Sequence, residues 1–545
     1  MADKEPNRMV YNYPLAKRGI NMYTNSNDLH PEEAIYSQNC IYHNGIQKRG
    51  GSSKVATTAV VASNKGTGLY KFYYSGSSQV MASSGTILKY LSGGAWSNAK
   101  TGLTDGAQVY MTTWLNKLFV ANGNDTPFTW NGSTATDITA TSAPASPTQF
   151  LPYQDRMLAI QGGDLVWSAS FDETATWGTV ADIGVRPDSV LYGMVHHGQT
   201  NTDSGYQSKV LLAGANSMYL FFGDDLRWPY TTGNYVIYPL ATPIGCNAPR
   251  TMVWTPKGTM WFGIDRQVYL LPFDSSVPIP VGHKIESHTY LADIDGIEDT
   301  PAGQIPNACA TYHDGFYKLS LAKSAGTYNT VQWWLDVHRM YQDEYGLYGP
   351  WFGPMVGNNI AVFANLNGPG DNGQLYGIEA NATTGSFVYQ LDQKSVYNDN
   401  GSAIKVFYQT YFNPLGNEYY PKEVHHCEVV LKDIEGTVGI NFSDIQGQIK
   451  TGDTLSLSGT AIYWDDYYWD EVYWTSATPT RSVVHISPAL KPRKLSLTIE
   501  NNSSIDGFNM YGLSVYATEL ADVYGMQSNG YTSVTDPTGV TMDDI

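Results

Sequence analysis

Short runs in which apolar and polar residues alternate recur along most of this chain, and three early segments repeat one arrangement. Residues 77–90 (SSQVMASSGTILKY), 116–130 (NKLFVANGNDTPFTW) and 155–167 (DRMLAIQGGDLVW) each hold an alternating run, a turn with Gly85, Gly123 or Gly163, and a second, aromatic-rich run. Alternation of period two marks a strand with one buried face, and glycine between two such runs marks a tight turn. The three glycines stand 38 and 40 residues apart, enough chain for about four short strands, the size of one propeller blade. Weaker copies follow at 210–222, 259–271, 315–321 with 331–335, and 360–378, with the spacing growing as longer loops would make it. The expected fold is all-β: a β-propeller of about seven blades, six or eight fitting almost as well. Stacked sandwiches or a β-helix are the competing arrangements of the same alternation.

Residues 1–55 lack the blade period and form an N-terminal arm, in which Asn44-Gly45 between apolar flanks reads as a hairpin turn. One short helix is expected at 31–38, because Pro31, Glu32 and Glu33 suit a helix N-terminus. A Ser/Thr/Ala/Gly-rich stretch at 51–68 leads into the repeats, which occupy 56–402 and fade at the turn-rich NDNGS of 398–402. Longer strands are expected at 404–412, 427–431, 438–442, 495–499 and 510–517, so 403–525 reads as a C-terminal β-sandwich or barrel. The final residues, 526–545, show no periodicity and read as a flexible tail.

Composition sharpens this picture. With 53 Gly and 40 Tyr among 545 residues and only 15% charged residues, the chain is a turn-rich, aromatic-rich β protein. No run approaches the length of a membrane span, and the polar opening MADKEPNRMV is unlike a secretory signal. A protein made and kept in a cytoplasm, or in something assembled there, is expected. Cys40, Cys246, Cys309 and Cys427 stand far apart with no CxxC spacing and read as buried free thiols. The formal charge is −18, the opposite of the Lys/Arg excess that grips phosphates, so an ordinary DNA binder is excluded. An acidic balance fits a wall along which DNA slides without sticking, and equally the plain solubility of an acidic protein.

Two regions carry a resemblance. Near the start stand Gly19-Ile20-Asn21, Leu29, Pro31-Glu32-Glu33-Ala34, Asn39, Asn44-Gly45 and Lys48-Arg49-Gly50. Near the end stand Lys494-Leu495-Ser496-Leu497-Thr498-Ile499 and Phe508-Asn509-Met510-Tyr511-Gly512-Leu513-Ser514-Val515-Tyr516. Together these bracket nearly the whole chain, and they resemble the tail nozzle or tail tubular proteins of short-tailed bacteriophages. The resemblance implies a propeller beside a platform built from both chain termini, and a homohexameric ring below the adaptor and portal rings, with tail fibres at its side. It further implies a channel for genome ejection in the virion tail, assembled in the bacterial host cytoplasm. It brings no catalytic residues, cofactor or metal, and six copies of an acidic chain would give the DNA path a strongly negative wall. Lys17, Arg18, Lys48 and Arg49 are the candidates for docking an acidic partner.

Other constellations bear on chemistry. Ser170-Phe171-Asp172-Glu173-Thr174-Ala175-Thr176-Trp177 comes close to the Asp-box of sialidase-type propellers, with Thr174 in place of the usual Gly. There the Asp caps a tight turn and the Trp packs beneath it, a structural role; arginines as scattered as these argue against the cluster that a sialidase needs. The run from Tyr463 to Trp474, with Trp464, Asp465, Asp466, Tyr467, Tyr468 and Trp469, is a candidate subunit or partner contact. A cross-strand aromatic ladder and a sugar-binding surface are its alternatives. Asp293, Asp295, Glu298 and Asp299 surround Gly296 and read as an acidic loop facing the channel, or as a Ca²⁺ loop without the full ligand series. His425-His426-Cys427-Glu428 looks like a metal cluster, but on a strand alternate residues face opposite sides, so four ligands do not converge. The function expected is a structural, non-enzymatic tail-nozzle subunit. The alternative is a receptor- or polysaccharide-binding propeller, with Asp465, Asp466 or Asp470 as acid and base if it also depolymerises its ligand.

Overall fold

The computed structural model describes residues 9–179, 190–202, 205–225, 234–240, 243–286, 295–343, 346–365, 373–432, 436–444, 449–451, 454–457, 480–505 and 507–520. Strand accounts for 53% of the structure and helix for 4%, so the chain is all-β. Among the described residues the helical pieces are single 3-10 turns and the six-residue Ala302–Asn307.

Five antiparallel sheets follow one another, each made of four consecutive strands. The first holds Gly66–Tyr74, Ser77–Ser84, Ile87–Ser92 and Ala95–Thr101; the second runs from Tyr110–Trp114 to Ala135–Asp137 and the third from Gln149–Tyr153 to Gly178–Thr179. The fourth spans Leu191–Thr202 to Asn234–Pro239, and the fifth Val253–Thr255 to Ile279–Pro280. A sixth set, Cys309–His313, Phe316–Ala322, Asn329–Asp336 and Trp351–Met355, is part of a ten-stranded sheet. The seventh consists of Ile360–Asn365, Leu375–Glu379 and Val388–Gln393, completed by Gly51–Lys54 from the other end of the chain.

The repeated segments of the sequence are the central hairpins of these sheets, and in the seventh the first hairpin. Wider spacing after the third has more than one cause. The fourth sheet's first two strands are long, Leu191–Thr202 and Gly205–Gly214, and the sixth set carries an extra hairpin, Tyr341–Asp343 with Gly346–Tyr348. A second turn signal also recurs. The first and second strands of several sheets are joined by two residues that are both left-handed, Ser75-Gly76, Leu115-Asn116 and Asp314-Gly315, the backbone twist that suits a two-residue hairpin. In the third central hairpin the left-handed residue is Gly162, not Gly163.

Each sheet packs on the next. Phe72, Met81 and Leu88 of the first meet Leu118, Val120 and Trp130 of the second. Phe119 and Ala121 meet Phe150, Met157 and Val166 of the third, and Leu158 and Leu165 meet Val210, Leu212 and Phe221 of the fourth. The circuit returns to its start, because Ala361, Val362, Ala364 and Ile378 of the seventh bury Leu69 and Ala82 of the first. The architecture is propeller-like, with both faces of most sheets buried against neighbours.

Both chain ends are woven into two further layers. Met9–Asn12, Cys40–Tyr42 and Ile46–Lys48 share a sheet with Lys422–Lys432, Thr480–Leu490 and Asn509–Glu519. Ala34–Gln38 lies between Trp351–Met355 and Val406–Thr410, extending the sixth set toward Leu495–Asn501 and Gly436–Asp444. The helix expected at 31–38 is therefore absent: Pro31 and Glu32 form a turn, and Ala34–Gln38 is a strand. An N-terminal helix signal a few residues long is outweighed by a β-prone AIYSQ segment placed where two open strand edges need pairing. Val424, Cys427, Val429, Val438, Ile440, Phe442, Leu497, Ile499 and Val515 are fully buried within one apolar cluster. Tyr13, Ile20 and Ile46 of the N-terminal segment lie in the same cluster, and at about 1.5–3 kcal/mol for each large aliphatic side chain this contact fastens the two termini together.

A buried ion pair joins three parts of the chain. The Arg49 guanidinium donates to both Asp399 carboxylate oxygens, to the Asn39 side-chain oxygen at 3.0 Å and to the Val356 carbonyl at 2.6 Å. Asp399 also accepts from Ser52 and Asn358, each at 3.0 Å, so every charge-bearing atom of the pair has partners. Gly357 has φ 118°, and a Cβ there would stand 2.3 Å from the Asp399 carboxylate. Arg49→Ala and Asp399→Ala should each lower unfolding free energy by about 3–5 kcal/mol, because each strands a buried charge. Gly357→Ala should also destabilise, and chemical denaturation of the three variants measures the losses.

Candidate functional site

The first strands of the successive sheets surround a common axis whose two ends differ. At the end where these strands begin, the turn Pro249–Thr251 lies across the axis. Arg250, mostly buried, donates to the carbonyl of Thr67 in the first sheet and to that of Val109 at 3.3 Å, just before the second. Its guanidinium lies 5.1 Å from the Tyr110 ring centre. Burial pushes the Tyr110 hydroxyl up to about 12, with Arg250 opposing. Gln108 donates to the Pro306 carbonyl at 2.8 Å, and Gln149 donates to the Met194 carbonyl at 2.9 Å. The bonds of Arg250 and Gln108 span sheets that are not neighbours, whereas that of Gln149 joins the adjacent third and fourth sheets, and the space beside Arg250 is a cavity of about 30 Å³.

At the opposite end, where first strands turn into second strands, the axis opens into two clefts of about 730 and 720 Å³ that share Asn365. The larger lies among the fifth, sixth and seventh sheets. Beneath its floor Lys318, fully buried, is bonded to Asp392 at 2.5 Å with its ammonium 3.7 Å from the Trp334 ring centre. Burial pushes the Asp392 carboxyl up, but the charge and hydrogen bond of Lys318 outweigh this and hold it below the usual carboxylate range. His313 donates from Nε2 to the Gly373 carbonyl, while its Nδ1 has no hydrogen-bond partner and faces Asp392 at 3.8 Å. Burial first, then the Lys318 charge, pull its pKa below the ordinary value. The same face carries exposed Leu115 and Phe171.

The Asp-box segment behaves structurally. Asp172 accepts from the Thr174 amide at 2.8 Å and from its hydroxyl at 2.6 Å, and these bonds hold its carboxyl below the usual range. Trp177 is buried between the second and third sheets, with Nε1 donating to the Glu173 carbonyl. Glu173 in turn pairs with Lys117 of the second sheet.

The residues singled out from sequence do not form one site. Lys17 is 55% exposed and lies 3.3 Å from Glu32; Arg18 approaches the same carboxylate at 3.8 Å and sits over the Tyr341 ring. Lys48 and Arg49 are a correction: both are buried, Lys48 on the Ser503 carbonyl and Arg49 on Asp399, so neither meets a partner. A Lys-Arg pair reads as surface by default, and only the arrival of residues about 350 and 450 positions away buries it. Asp293 and the Trp464, Asp465, Asp466, Tyr467, Tyr468, Trp469 run lie outside the described residues, as does the tail 526–545.

Asp295 accepts the Ser324 amide at 3.1 Å and Asp299 the Gly296 amide at 2.7 Å, with Glu298 exposed. Among the described residues no set of three His, Cys, Asp or Glu side chains is placed to hold a metal. His426 stacks on Tyr516 at 4.3 Å, and Glu428 accepts the Tyr516 hydroxyl at 2.8 Å. Cys427 points the other way into the core, and all four cysteines are buried and free. Arg250, His313, Lys318, Asp392 and Trp254 escaped sequence reading. Only Lys318 left a trace, as a cation inside the otherwise apolar strand GFYKLSL.

No protein-family model matches the chain, and no curated protein matches it. Among solved structures, a chain of the complex of BBS1N with ARL6DN is 11% identical, with 64% of this chain and 97% of that one covered at a TM-score of 0.39. A chain from YCF48 bound to D1 peptide is 10% identical, covering 63% and 95% at 0.37. The extracellular domain of the putative one component system BT4673 from B. thetaiotaomicron is 9% identical, covering 75% and 46% at 0.38. Likeness at this level carries nothing about activity. Among the described residues no helix is long and apolar enough to cross a membrane.

The histidines set an acid limb. In the unfolded chain His313 and His197 take up protons near pH 6.5; in the folded chain both are held lower, His197 at about 4 by burial. Between these values the unfolded state binds more protons, so stability should fall as pH drops from about 6.5. It should fall again below about pH 4, where the unfolded chain protonates the equivalent of Asp392 before the folded one does. Denaturation midpoints measured from pH 7 to 4 should show a shallower slope in His313→Gln, the part due to His196 and His197, both held low by burial, remaining.

Proposed function

We propose that this protein is a structural subunit of a phage tail nozzle, a homohexamer set below the adaptor and portal rings with tail fibres at its side. In this reading the seven sheets are a seven-bladed propeller, and the layers built from both termini are a platform. The observation that carries it is the weave. Strands from residues 9–48 and 406–519 form one body grown out of the sixth sheet, and Gly51–Lys54 completes the seventh. This is the organisation that the resemblance at both ends of the chain leads one to expect. The role is mechanical, without catalysis, and the assembly belongs to the virion tail after formation in the host cytoplasm.

The Arg250 barrier bears on where DNA would run. With Arg250 and Gln108 bonded across the axis, the conduit of this reading lies between subunits rather than through the propeller. Its wall would be the acidic outer surface, with the turn of Asp295, Glu298 and Asp299 among its carboxylates. A net −18 per chain disfavours long-lived phosphate contacts and suits sliding without sequence readout. Electron microscopy of the purified oligomer should reveal a sixfold ring with a central bore wide enough for duplex DNA. A monomer, or a ring whose only hole runs through each propeller, would overturn the reading.

Lys17 and Arg18, the solvent-facing pair of the N-terminal cations, are the proposed contact to an acidic partner ring. Lys17→Glu with Arg18→Glu should weaken incorporation into tails while leaving the melting temperature within about 1–2 °C. Unchanged incorporation removes that assignment.

A further inference from the structure

We infer that the larger axial cleft is a binding site for a neutral oligosaccharide. Its volume of about 730 Å³ falls in the range of specific ligand sites and far exceeds what an ion needs. Trp254 sits at its edge with 46% of its surface exposed, and Phe273 backs it at a centroid distance of 6.0 Å and an interplanar angle of 31°. An indole held in place yet left open to solvent is the platform on which the apolar face of a pyranose stacks.

The polar lining fits hydroxyl groups. Gln374, Gln390 and the Tyr312 hydroxyl offer donors and acceptors around the cleft. Two buried acceptors have no donor at all, Oδ1 of Asn365 and Nδ1 of His313. Asn365 is fixed by its own amide, which donates to the Tyr312 carbonyl at 2.7 Å, and His313 is fixed through Gly373. A ligand O–H that reaches either atom would give it the donor that the protein does not supply.

Charge chooses among polar ligands. Asp392 is neutralised by Lys318, and Lys394 pairs with Asp314 at 3.0 Å at the rim. Among the described residues that line the cleft none is arginine, and its one lysine, Lys394, is balanced by Asp314, so the lining offers no bidentate clamp for a phosphate or carboxylate. A neutral, polyhydroxylated ligand is what such a site selects. This binding site stands independently of the nozzle reading, and it gives the receptor-binding alternative a location built from Trp254 and its neighbours.

The test is titration calorimetry of the full chain with neutral tri- to hexasaccharides of glucose, galactose and N-acetylglucosamine, beside sialylated and phosphorylated counterparts. At least one neutral member should bind. Trp254→Ala should weaken it by about tenfold or more, Trp254→Phe should restore part of the loss, and Asn365→Ala should weaken it with thermal midpoint preserved. No neutral binder at millimolar concentration overturns the inference. So does binding indifferent to both Trp254→Ala and Asn365→Ala, or a clear preference for the anionic sugars.

Discussion

A four-stranded sheet of short strands has two faces and cannot bury either alone, so each sheet here depends on the next and the last must find the first. The pairing that permits this is Gly51–Lys54 against Val388–Gln393, which brings residues from the beginning of the chain to the seventh sheet. Arg49 stands just before Gly51–Lys54, and Asp399 lies in the two-residue strand Asn398–Asp399 that pairs parallel with it in the same sheet, so their bidentate contact locks the join. Because the pair is buried and fully hydrogen-bonded, its geometry tolerates little displacement. The contact that returns Ile378 to Leu69 and the growth of the terminal layers from the sixth set both presuppose that join.

The charged groups sort by the same logic. Cations that enter the interior each hold a specified acceptor: Arg49 holds Asp399, Lys318 holds Asp392, Lys284 holds Glu33, and Arg250 holds backbone carbonyls across the axis. Because Arg49, Lys284 and Lys318 each take a carboxylate inward with them, the exterior keeps the acidic excess of a chain with 32 Lys and Arg against 50 Asp and Glu. The axis is then closed at one end by a guanidinium and open at the other into clefts. Among the described residues, that asymmetry puts the room for a small ligand at one end of the axis only.

Much of the fold was legible because strands with one buried face write themselves as alternation. Cys427, Val429 and Leu431, and Val438, Ile440 and Phe442, were readable as buried faces and are buried. Asp172 and Trp177 were readable as a turn cap and a wedge, since both roles are filled within a few residues. The helix at 31–38 failed because its signals are local, whereas the pairing of Ala34–Gln38 is with strands hundreds of residues away. Lys48 and Arg49 were misplaced for the same reason. Nothing in the local sequence of Trp254 or Asn365 marks them, one aromatic among 14 tryptophans and one amide in a strand end.

The sequence alone determined the class of the protein and the rhythm of its sheets, because hydrophobic period, turn chemistry and composition act over a few residues at a time. Tertiary structure decided which strand closes the circuit, which cations lie inside, and which end of the axis is open. Those outcomes depend on contacts between residues such as Arg49 and Asp399, 350 positions apart. Their energies arise from desolvation and shared packing that exist only once the distant segments have met.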